Sequence, residues 1–198
     1  MNMTKKEEWL AGTRSAVPIM LGYVPVGIAY GVMARQAGLN TWQTVLMSLT
    51  VYGGASEMMA AGMVAQGAAV LTIVLTTFIL NLRHIIMSTC VFNQMQGGRL
   101  PVRMLAAFGV TDETFAVYTT TANAPRTPRY FFSMALCSYL SWALGSWLGA
   151  IATGLLPPLI TAALGISLYA MFIGLLMPGL HGNGRLAALV VLTALCNT

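Results

Sequence analysis

Four short clusters of polar or helix-breaking residues interrupt apolar stretches of this sequence, and chemistry is most plausible there. They are residues 25–31, 53–57, 81–84 and 111–114. Together they hold carboxyl groups, a guanidinium, an imidazole and paired glycines, which are groups that bind small charged solutes or carry protons. Ionisable groups inside apolar segments are costly, and they indicate function rather than packing.

The second cluster is typical of a broken helix. Gly53 and Gly54 loosen the helix, and Ser56 would cap a new half-helix whose free N–H groups favour a substrate carboxylate. A charged carboxyl near the bilayer centre costs about 2.5 kcal/mol or more, so Glu57 is predicted to be protonated, paired or facing water. It is then suited to carry a coupling proton. The alternative is that the glycines only permit close packing and Glu57 lies at a shallower depth.

The third cluster centres on Arg83. This side chain keeps its charge, so a position within a span requires a carboxylate, carbonyl groups or water beside it. It is predicted to pair with Glu57 or Asp112, or to bind a substrate carboxylate beside Asn81. His84 titrates near neutral pH and could relay protons. The alternatives are an Arg83 at a membrane boundary and a His84 with only a structural role.

The fourth cluster places Asp112 and Glu113 side by side. Adjacent side chains on a helix point about 100° apart, so only one of the two carboxyls is expected to face a given site. Inside a bundle, such a group can bind a substrate ammonium or a proton. Otherwise both residues lie at the wet end of a short segment.

The first cluster contains Pro25, Gly27 and Gly31, and a second pair with the same glycine spacing is Gly145 and Gly149. The G-x-x-x-G spacing lets two helix backbones approach closely, which is more often packing than binding. Pro25 frees a carbonyl, so a helix break or gate at this point could line a pathway.

The composition of the chain predicts which secondary structure holds these clusters in place. The chain has 198 residues, of which 57% are hydrophobic and 8% charged, with a mean hydropathy of +0.74. A soluble domain carries about 25% charged residues, so both a soluble domain and a disordered chain are excluded. Residues 68–80 and 131–149 are apolar on all sides, as helices in lipid are. The sequence predicts an all-α, polytopic membrane bundle of about six or seven spans, with one or more broken helices and a single domain over residues 1–198.

The hydropathy pattern locates these spans. They are predicted at about residues 15–34, 42–65, 67–92, 104–121, 130–155 and 159–177, followed by a short run at 186–198. Residues 67–96 either cross once, interrupted at 81–84, or form a re-entrant hairpin. Thr4 and Glu7 match a capping box, which predicts a short interfacial helix as an alternative to a frayed tail. No convincing internal repeat is found, which leaves a weak inverted repeat open.

The basic residues are predicted to mark topology, because they form no basic stripe and nucleic acid is not expected. With a cytoplasmic N-terminus and a single crossing by residues 67–92, the inside carries Lys5, Lys6, Arg14, Arg126, Arg129 and Arg185. Arg35, Arg99 and Arg103 would then lie outside. A hairpin at 67–92 would make the balance nearly even.

Enzyme signatures are absent from the sequence. Residues 54–57 are similar to the Gly-x-Ser-Gly motif of intramembrane serine proteases, but Glu57 replaces the last glycine and the base would be His181, in a turn. Two distant histidines and isolated cysteines cannot form a metal cluster, and no P-loop is present. Neither an enzyme nor a cofactor is expected.

The order and spacing of the four clusters resemble the AzlC-type permeases, the large subunits of bacterial branched-chain amino acid exporters. The motifs that carry the resemblance are residues 25–31, 52–56, 81–84 and 111–115, and the similarity covers most of residues 12–198. Glu57 departs from the family, which often has Gln there. The family also continues past the end of this chain by about one span.

The resemblance implies a secondary transporter of the bacterial inner membrane that exports branched-chain amino acids, driven by protons. It also implies a small AzlD-type membrane subunit as partner; a homo-oligomer is a further option. From the residues, we expect the substrate carboxylate near Gly53–Ser56 or Arg83, its ammonium near Asp112 or Glu113, and proton exchange at Glu57 and His84. The rival functions are a structural or channel-type subunit and, less favoured, an intramembrane hydrolase.

Overall fold

The computed structural model describes residues 3–121 and 124–155, and single positions at 157, 159, 163, 166, 173, 184, 188, 190 and 192. Over these residues the chain is helical and contains no strand, which confirms the all-α class. The helices are α1 (Lys5–Gln36), α2 (Thr41–Val51), α3 (Gly54–Ala65), α4 (Val70–Gln94), α5 (Leu100–Phe108), α6 (Asp112–Thr120) and α7 (Pro128–Ala152). The predicted spans after residue 157 and the turn at 181–185 lie largely outside the described residues.

Helices α1, α4 and α7 are long and apolar enough to cross a membrane. At about 1.5 Å per residue, the 25 residues of α4 and of α7 exceed the hydrocarbon thickness of about 30 Å. Helix α7 matches the predicted span at 130–155 within three residues at each end. The protein is therefore an integral membrane protein.

Helices α1 and α7 run parallel and pack along small residues. A Cβ atom added at Gly145 would lie 2.7 Å from the Val24 carbonyl oxygen, and one at Gly27 would lie 3.0 Å from the Trp142 carbonyl oxygen. Gly31 and Gly149 contact the opposite backbone in the same way. The glycine pairs thus allow direct backbone contact between the two helices.

Helix α1 begins at the predicted capping box, in which Thr4 and Glu7 each accept a hydrogen bond from the other's backbone N–H. A separate interfacial helix is not present, because the same helix continues to Gln36. It also continues through Pro25, so the predicted helix break there is wrong. Pro18 and Pro25 both lie inside this one helix, and a gating role for Pro25, Gly27 and Gly31 stays a prediction.

The predicted break in the second span is confirmed. Helix α2 ends at Tyr52, whose backbone is left-handed (φ 46°), and α3 begins after Gly53. The predicted cap at Ser56 is wrong, because Gly53 occupies the N-cap position and the Ser56 hydroxyl donates to the Gly53 carbonyl at 2.8 Å. Serine therefore lies one turn inside the helix instead of at its start.

Helices α2 and α3 form a hairpin instead of one crossing. Thr44 of α2 contacts Tyr30 near the end of α1, and Glu57 of α3 returns to contact Ser48. Helix α3 thus runs back toward the end of the molecule from which α2 came. We call residues 41–65 the first hairpin, and the predicted crossing at 42–65 is wrong.

Helix α4 is continuous from Val70 to Gln94, so the alternative hairpin at 67–96 is wrong, and the polar residues at 81–84 interrupt the apolar run but not the helix. The single-crossing alternative agrees with the structure. The polar residues Asn81, Arg83 and His84 remain helical, since a polar side chain does not remove the backbone hydrogen bonds of the helix, and Arg83 finds a partner in Asp112.

The predicted fourth span, 104–121, is also a hairpin. Helix α5 runs antiparallel to α4, with the Ser88 hydroxyl donating to the Ala107 carbonyl at 3.2 Å. Thr111 then caps α6 through a reciprocal bond with Thr114, and α6 returns so that Tyr118 packs on Tyr130. Residues 100–120 are the second hairpin. The break is caused by Gly109 and the Thr111 cap, which together stop one helix and start another.

The two hairpins enter from opposite ends of the molecule. Residues 3–8, 95–99 and 124–127 form the N-terminal face, where the Gln96 N–H donates to the Arg126 carbonyl at 2.6 Å and Arg129 lies 3.7 Å from Glu8. Residues 37–40, 66–69 and 153–155 form the opposite face. A spanning helix followed by a hairpin thus occurs twice with inverted direction, as α1 with the first hairpin and α4 with the second, which is an inverted repeat.

This topology corrects the predicted charge distribution. Arg99 and Arg103 were placed across the membrane from the N-terminus, yet both lie at the N-terminal face. Among the described residues that face holds Lys5, Lys6, Arg14, Arg99, Arg103, Arg126 and Arg129, and the opposite face holds Arg35. If both hairpins crossed the membrane, as predicted, residues 66–69 and 95–99 would each lie on the side opposite to the one found in the structure.

Candidate functional site

The tips of the two hairpins meet at one cavity, deep within the molecule between α1, α4 and α7. Its volume is about 20 Å³, which is room for about one water molecule. Six of the predicted site residues line it: Gly53, Gly54, Arg83, His84, Asp112 and Glu113. Five residues that were not predicted complete the wall: Tyr23, Tyr52, Ala55, Thr111 and Trp142. The structure thus brings together three separate sequence clusters.

The remaining predicted residues lie away from the cavity wall. Ser56 is fully buried and bonded to the turn before its own helix. Asn81 lies beside Gly53, and its buried side-chain oxygen has no hydrogen-bond partner among the described residues. Pro25, Gly27 and Gly31 lie in α1, the last two against α7.

Arg83 pairs with Asp112 across the cavity. The guanidinium lies 3.0 Å from the carboxylate, which selects Asp112 over Glu57 from the predicted partners. Asp112 is also the first residue of α6, where a negative charge is stabilised by the free N–H groups of the helix start. Both side chains keep part of their surface exposed, so their charges remain accessible to a small solute.

Glu57 has a different environment, because it is fully buried and lies behind the cavity wall. Its carboxyl accepts hydrogen bonds from the Gly53 N–H at 2.9 Å, the Ser48 hydroxyl at 2.9 Å and the Trp142 indole N–H at 3.2 and 3.3 Å. No basic side chain pairs with it among the described residues. These donors tie the tip of the first hairpin to both α2 and α7.

A chain of hydroxyls continues from Glu57. The Ser48 and Ser146 hydroxyl oxygens are 2.7 Å apart, and the Ser146 hydroxyl donates to the Trp142 carbonyl at 2.9 Å. Hydroxyl groups can rotate to donate or accept, so this chain can serve Glu57 in either protonation state.

Glu113 is the second buried carboxyl, with 6% of its surface exposed, and it faces the cavity. The Tyr23 hydroxyl donates to it at 2.6 Å, and that hydroxyl also lies 2.7 Å from the Thr111 hydroxyl. Arg83 forms its ion pair with Asp112, and Glu113 has no basic partner among the described residues. The two adjacent acids therefore differ, since one is in an ion pair and the other is bonded to a phenol.

Aromatic rings frame the cavity and were missed by sequence reasoning. Trp142 packs edge-on against Tyr23 at 5.4 Å and stacks with Tyr30 at 6.1 Å, and Tyr52 packs edge-on against Tyr139 at 4.9 Å. The Tyr52 hydroxyl is buried without a hydrogen-bond partner among the described residues. Aromatic residues in apolar spans carry no local signal of a site, although Tyr52 borders the glycine cluster.

The arrangement can bind a small solute that carries both charges. Helices α3 and α6 both begin at the cavity, so the positive ends of two half-helices point into it. Arg83 adds a cation, and Asp112 and Glu113 add carboxyl groups. Within the described residues, no group of three metal-ligating side chains is found.

Known proteins share this sequence pattern. The family model described as "AzlC protein" matches residues 18–156. An "Uncharacterized membrane protein" of Archaeoglobus fulgidus is 33% identical over 189 residues, covering 94% of this chain and 83% of the relative. "Inner membrane protein YgaZ" of Escherichia coli is 30% identical over 179 residues, which cover 85% of this chain and 72% of the relative. "Branched-chain amino acid transport protein AzlC" of Bacillus subtilis is 27% identical, covering 76% and 61%. No solved structure matches.

Proposed function

This chain belongs to the AzlC family of membrane proteins, and from that premise we propose that it is a secondary transporter of branched-chain amino acids. The name of the Bacillus subtilis relative, a branched-chain amino acid transport protein, supports the substrate class. The name of the Escherichia coli relative supports a bacterial inner-membrane location. The wider assembly, with a small AzlD-type subunit or as a homo-oligomer, is part of the same proposal.

The observation that carries the proposal is the pair of opposite charges at the cavity, Arg83 of α4 and Asp112 at the tip of the second hairpin. An amino acid is a zwitterion, so its carboxylate can bind Arg83 and the N–H group of Gly54 at the start of α3, whereas the Gly53 N–H is already bonded to Glu57. Its ammonium group can bind Asp112 or Glu113. Insertion between Arg83 and Asp112, which are 3.0 Å apart, would exchange one ion pair for two and leave no charge unpaired.

An apolar side chain has a place beside these charges. A second cavity of about 400 Å³ shares Tyr52 and His84 with the first and is otherwise lined mainly by apolar residues of α2, α4 and α5, among them Val51, Phe108 and Ala107. A branched aliphatic side chain would be removed from water there, at about 25 cal/mol per Å² of apolar surface buried. This supports a hydrophobic amino acid as the substrate.

The size of the first cavity requires movement. About 20 Å³ holds about one water molecule, so the charged end of an amino acid fits only after the hairpin tips separate. Because the hairpins enter from opposite faces, displacement of either one opens the cavity toward its own side. Alternating access in transporters with inverted repeats uses such paired elements.

Direction and coupling are the finer part of the proposal. Seven of the ten Lys and Arg residues lie at the N-terminal face, and the positive-inside rule assigns that face to the cytoplasm. We propose export from this face, coupled to proton entry. Among the residues proposed for proton exchange, His84 lines the cavity and Glu57 lies behind Trp142.

Transport by the purified protein in liposomes tests the proposal. Vesicles loaded with labelled valine are expected to release it faster when the outer solution is more acidic than the lumen, and protein-free vesicles set the background. Equal rates with and without the gradient would contradict proton coupling. Failure to release valine, leucine or isoleucine under any gradient, with the protein alone and with its small subunit, would contradict the substrate class.

A further inference from the structure

The three acidic groups near the hairpin tips have different access to the cavity. Asp112 and Glu113 line it, whereas Glu57 is separated from it by Trp142 and the turn at Gly53. A group that binds a proton and the substrate ammonium in turn must be an acid that the substrate can reach; His84 also lines the cavity, but an imidazole carries no negative charge to pair with an ammonium. This leaves Asp112 and Glu113.

These two carboxyl groups differ in the side chains that they are bonded to. Asp112 lies 3.0 Å from Arg83, so its negative charge is already compensated and protonation would leave Arg83 unpaired. Glu113 is bonded to the uncharged Tyr23 hydroxyl, and no cation pairs with it among the described residues. A buried carboxyl of this kind becomes neutral by binding either a proton or an organic cation.

The hydrogen-bond partners of Glu113 are compatible with both the ionised and the protonated form of its carboxyl group. When the carboxyl is ionised, Tyr23 donates to it and Thr111 can donate to Tyr23, because either hydroxyl of that 2.7 Å pair can be the donor. When the carboxyl is protonated, it can donate to Tyr23, and Tyr23 to Thr111. Glu57 also has hydroxyl partners, through Ser48, but it does not line the cavity, so the substrate reaches Glu113 and not Glu57.

We propose that Glu113 is the exchange residue of this transporter, binding a proton and the substrate ammonium alternately, while Glu57 positions the first hairpin. The inference rests on the proposed transport of amino acids. The protonated carboxyl gives its proton to water as the ammonium group takes its place, so one carboxylate–ammonium pair forms and one O–H bond breaks. Proton and substrate then exclude each other, which is what exchange in opposite directions requires.

Other titratable groups face this site and set the background of any pH effect. They are Tyr23 on α1, Tyr52 before α3, Arg83 and His84 on α4, and Asp112 on α6. Helix α7 contributes Trp142, which does not titrate. Only a proton released in proportion to bound substrate distinguishes exchange at Glu113 from a general pH effect.

The test measures valine binding and proton release together, with purified protein in weakly buffered detergent solution between pH 5 and pH 8. The wild type is expected to release about one proton per valine bound at acidic pH, and its affinity should fall up to about tenfold per pH unit as the solution becomes more acidic. Glu113→Gln should bind at least tenfold more weakly, with any remaining affinity independent of pH. Glu7→Gln is the matched control, since glutamine also fits the capping box, and should behave as the wild type.

Two results would overturn the inference while leaving the proposed function intact. One is wild-type binding of valine with no proton release and no pH dependence. The other is a folded Glu113→Gln protein that retains wild-type affinity or its pH dependence. If Glu113→Gln does not fold, Tyr23→Phe and Glu113→Asp decide the matter: both keep a carboxyl at position 113, so both should still release a proton on binding valine, but with a pH dependence shifted from that of the wild type. An unchanged pH dependence in both variants would contradict the inference. No binding of any branched-chain amino acid by the wild type would instead count against the proposed function.

Discussion

The indole N–H of Trp142 donates to both oxygens of Glu57, at 3.2 and 3.3 Å, although the two residues are 85 positions apart. This contact joins the tip of the first hairpin to spanning helix α7 at the depth of the cavity. Because Trp142 also forms part of the cavity wall, any movement of the hairpin tip changes the shape of the site.

Trp142→Phe should therefore weaken the protein. It removes one donor of Glu57 and also part of a buried ring, since only 2% of the Trp142 surface is exposed. We expect the lost hydrogen bond to cost about 1–3 kcal/mol of stability, as for a buried polar group left without a partner, and the lost ring volume to add to this cost. Thermal unfolding in detergent measures the effect. Trp147→Phe is the matched control, since Trp147 lies on the same helix with 46% of its surface exposed. Equal midpoints for the two variants would show that the contact does not stabilise the fold.

Both members of the Arg83–Asp112 ion pair should be essential for transport. Arg83→Gln leaves an uncompensated carboxylate and Asp112→Asn an uncompensated guanidinium, so each is expected to lower valine transport at least about tenfold. The double variant should restore stability in part but not transport, because the substrate carboxylate then has no guanidinium to bind. The pair Arg129–Glu8, at 3.7 Å on the N-terminal face, is the control. Full transport by the double variant would exclude a binding role.

The close contact of α1 and α7 predicts opposite effects for two glycine substitutions. In Gly145→Ala the new Cβ would lie 2.7 Å from the Val24 carbonyl oxygen, so the helices must separate, at a cost of about 1–3 kcal/mol. In Gly62→Ala, in α3, nothing lies within 4 Å, and alanine should stabilise the helix by up to about 1 kcal/mol. Unfolding midpoints of both variants provide the comparison. A stabilising Gly145→Ala would contradict the packing described here.

The hairpin topology can be tested with cysteines in a background in which the native cysteines are replaced. Gln96→Cys is expected to react from the same side as Lys6→Cys, and Gln66→Cys from the other side. All three positions are exposed, and the two glutamines form a matched pair. Labelling with a membrane-impermeant thiol reagent, in intact and in opened cells, shows on which side of the membrane each cysteine lies. If the hairpins were crossings, the reactions of Gln96→Cys and Gln66→Cys would exchange sides.

Much of the site could be predicted from the sequence, because charged groups in apolar segments need no tertiary information to be noticed. Arg83, Asp112 and Glu113 were identified in this way, and all three line the cavity. Their partners could not be predicted. Arg83 had two acidic candidates, and only the path of α4 against α6 selects Asp112. Tyr23 and Trp142 could not be distinguished from other aromatic residues of the spans.

Composition and local pattern were enough to predict that lipid is the solvent, that the chain is helical, and that a helix break lies near Gly53. That residues 41–65 and 100–120 turn back instead of crossing is visible only in the packed fold. The reason is physical: hydropathy and helix propensity depend on local composition, which is the same for a helix that crosses and for two half-helices that return. Direction is set by packing against α1, α4 and α7, where Glu57 finds Trp142 and Glu113 finds Tyr23.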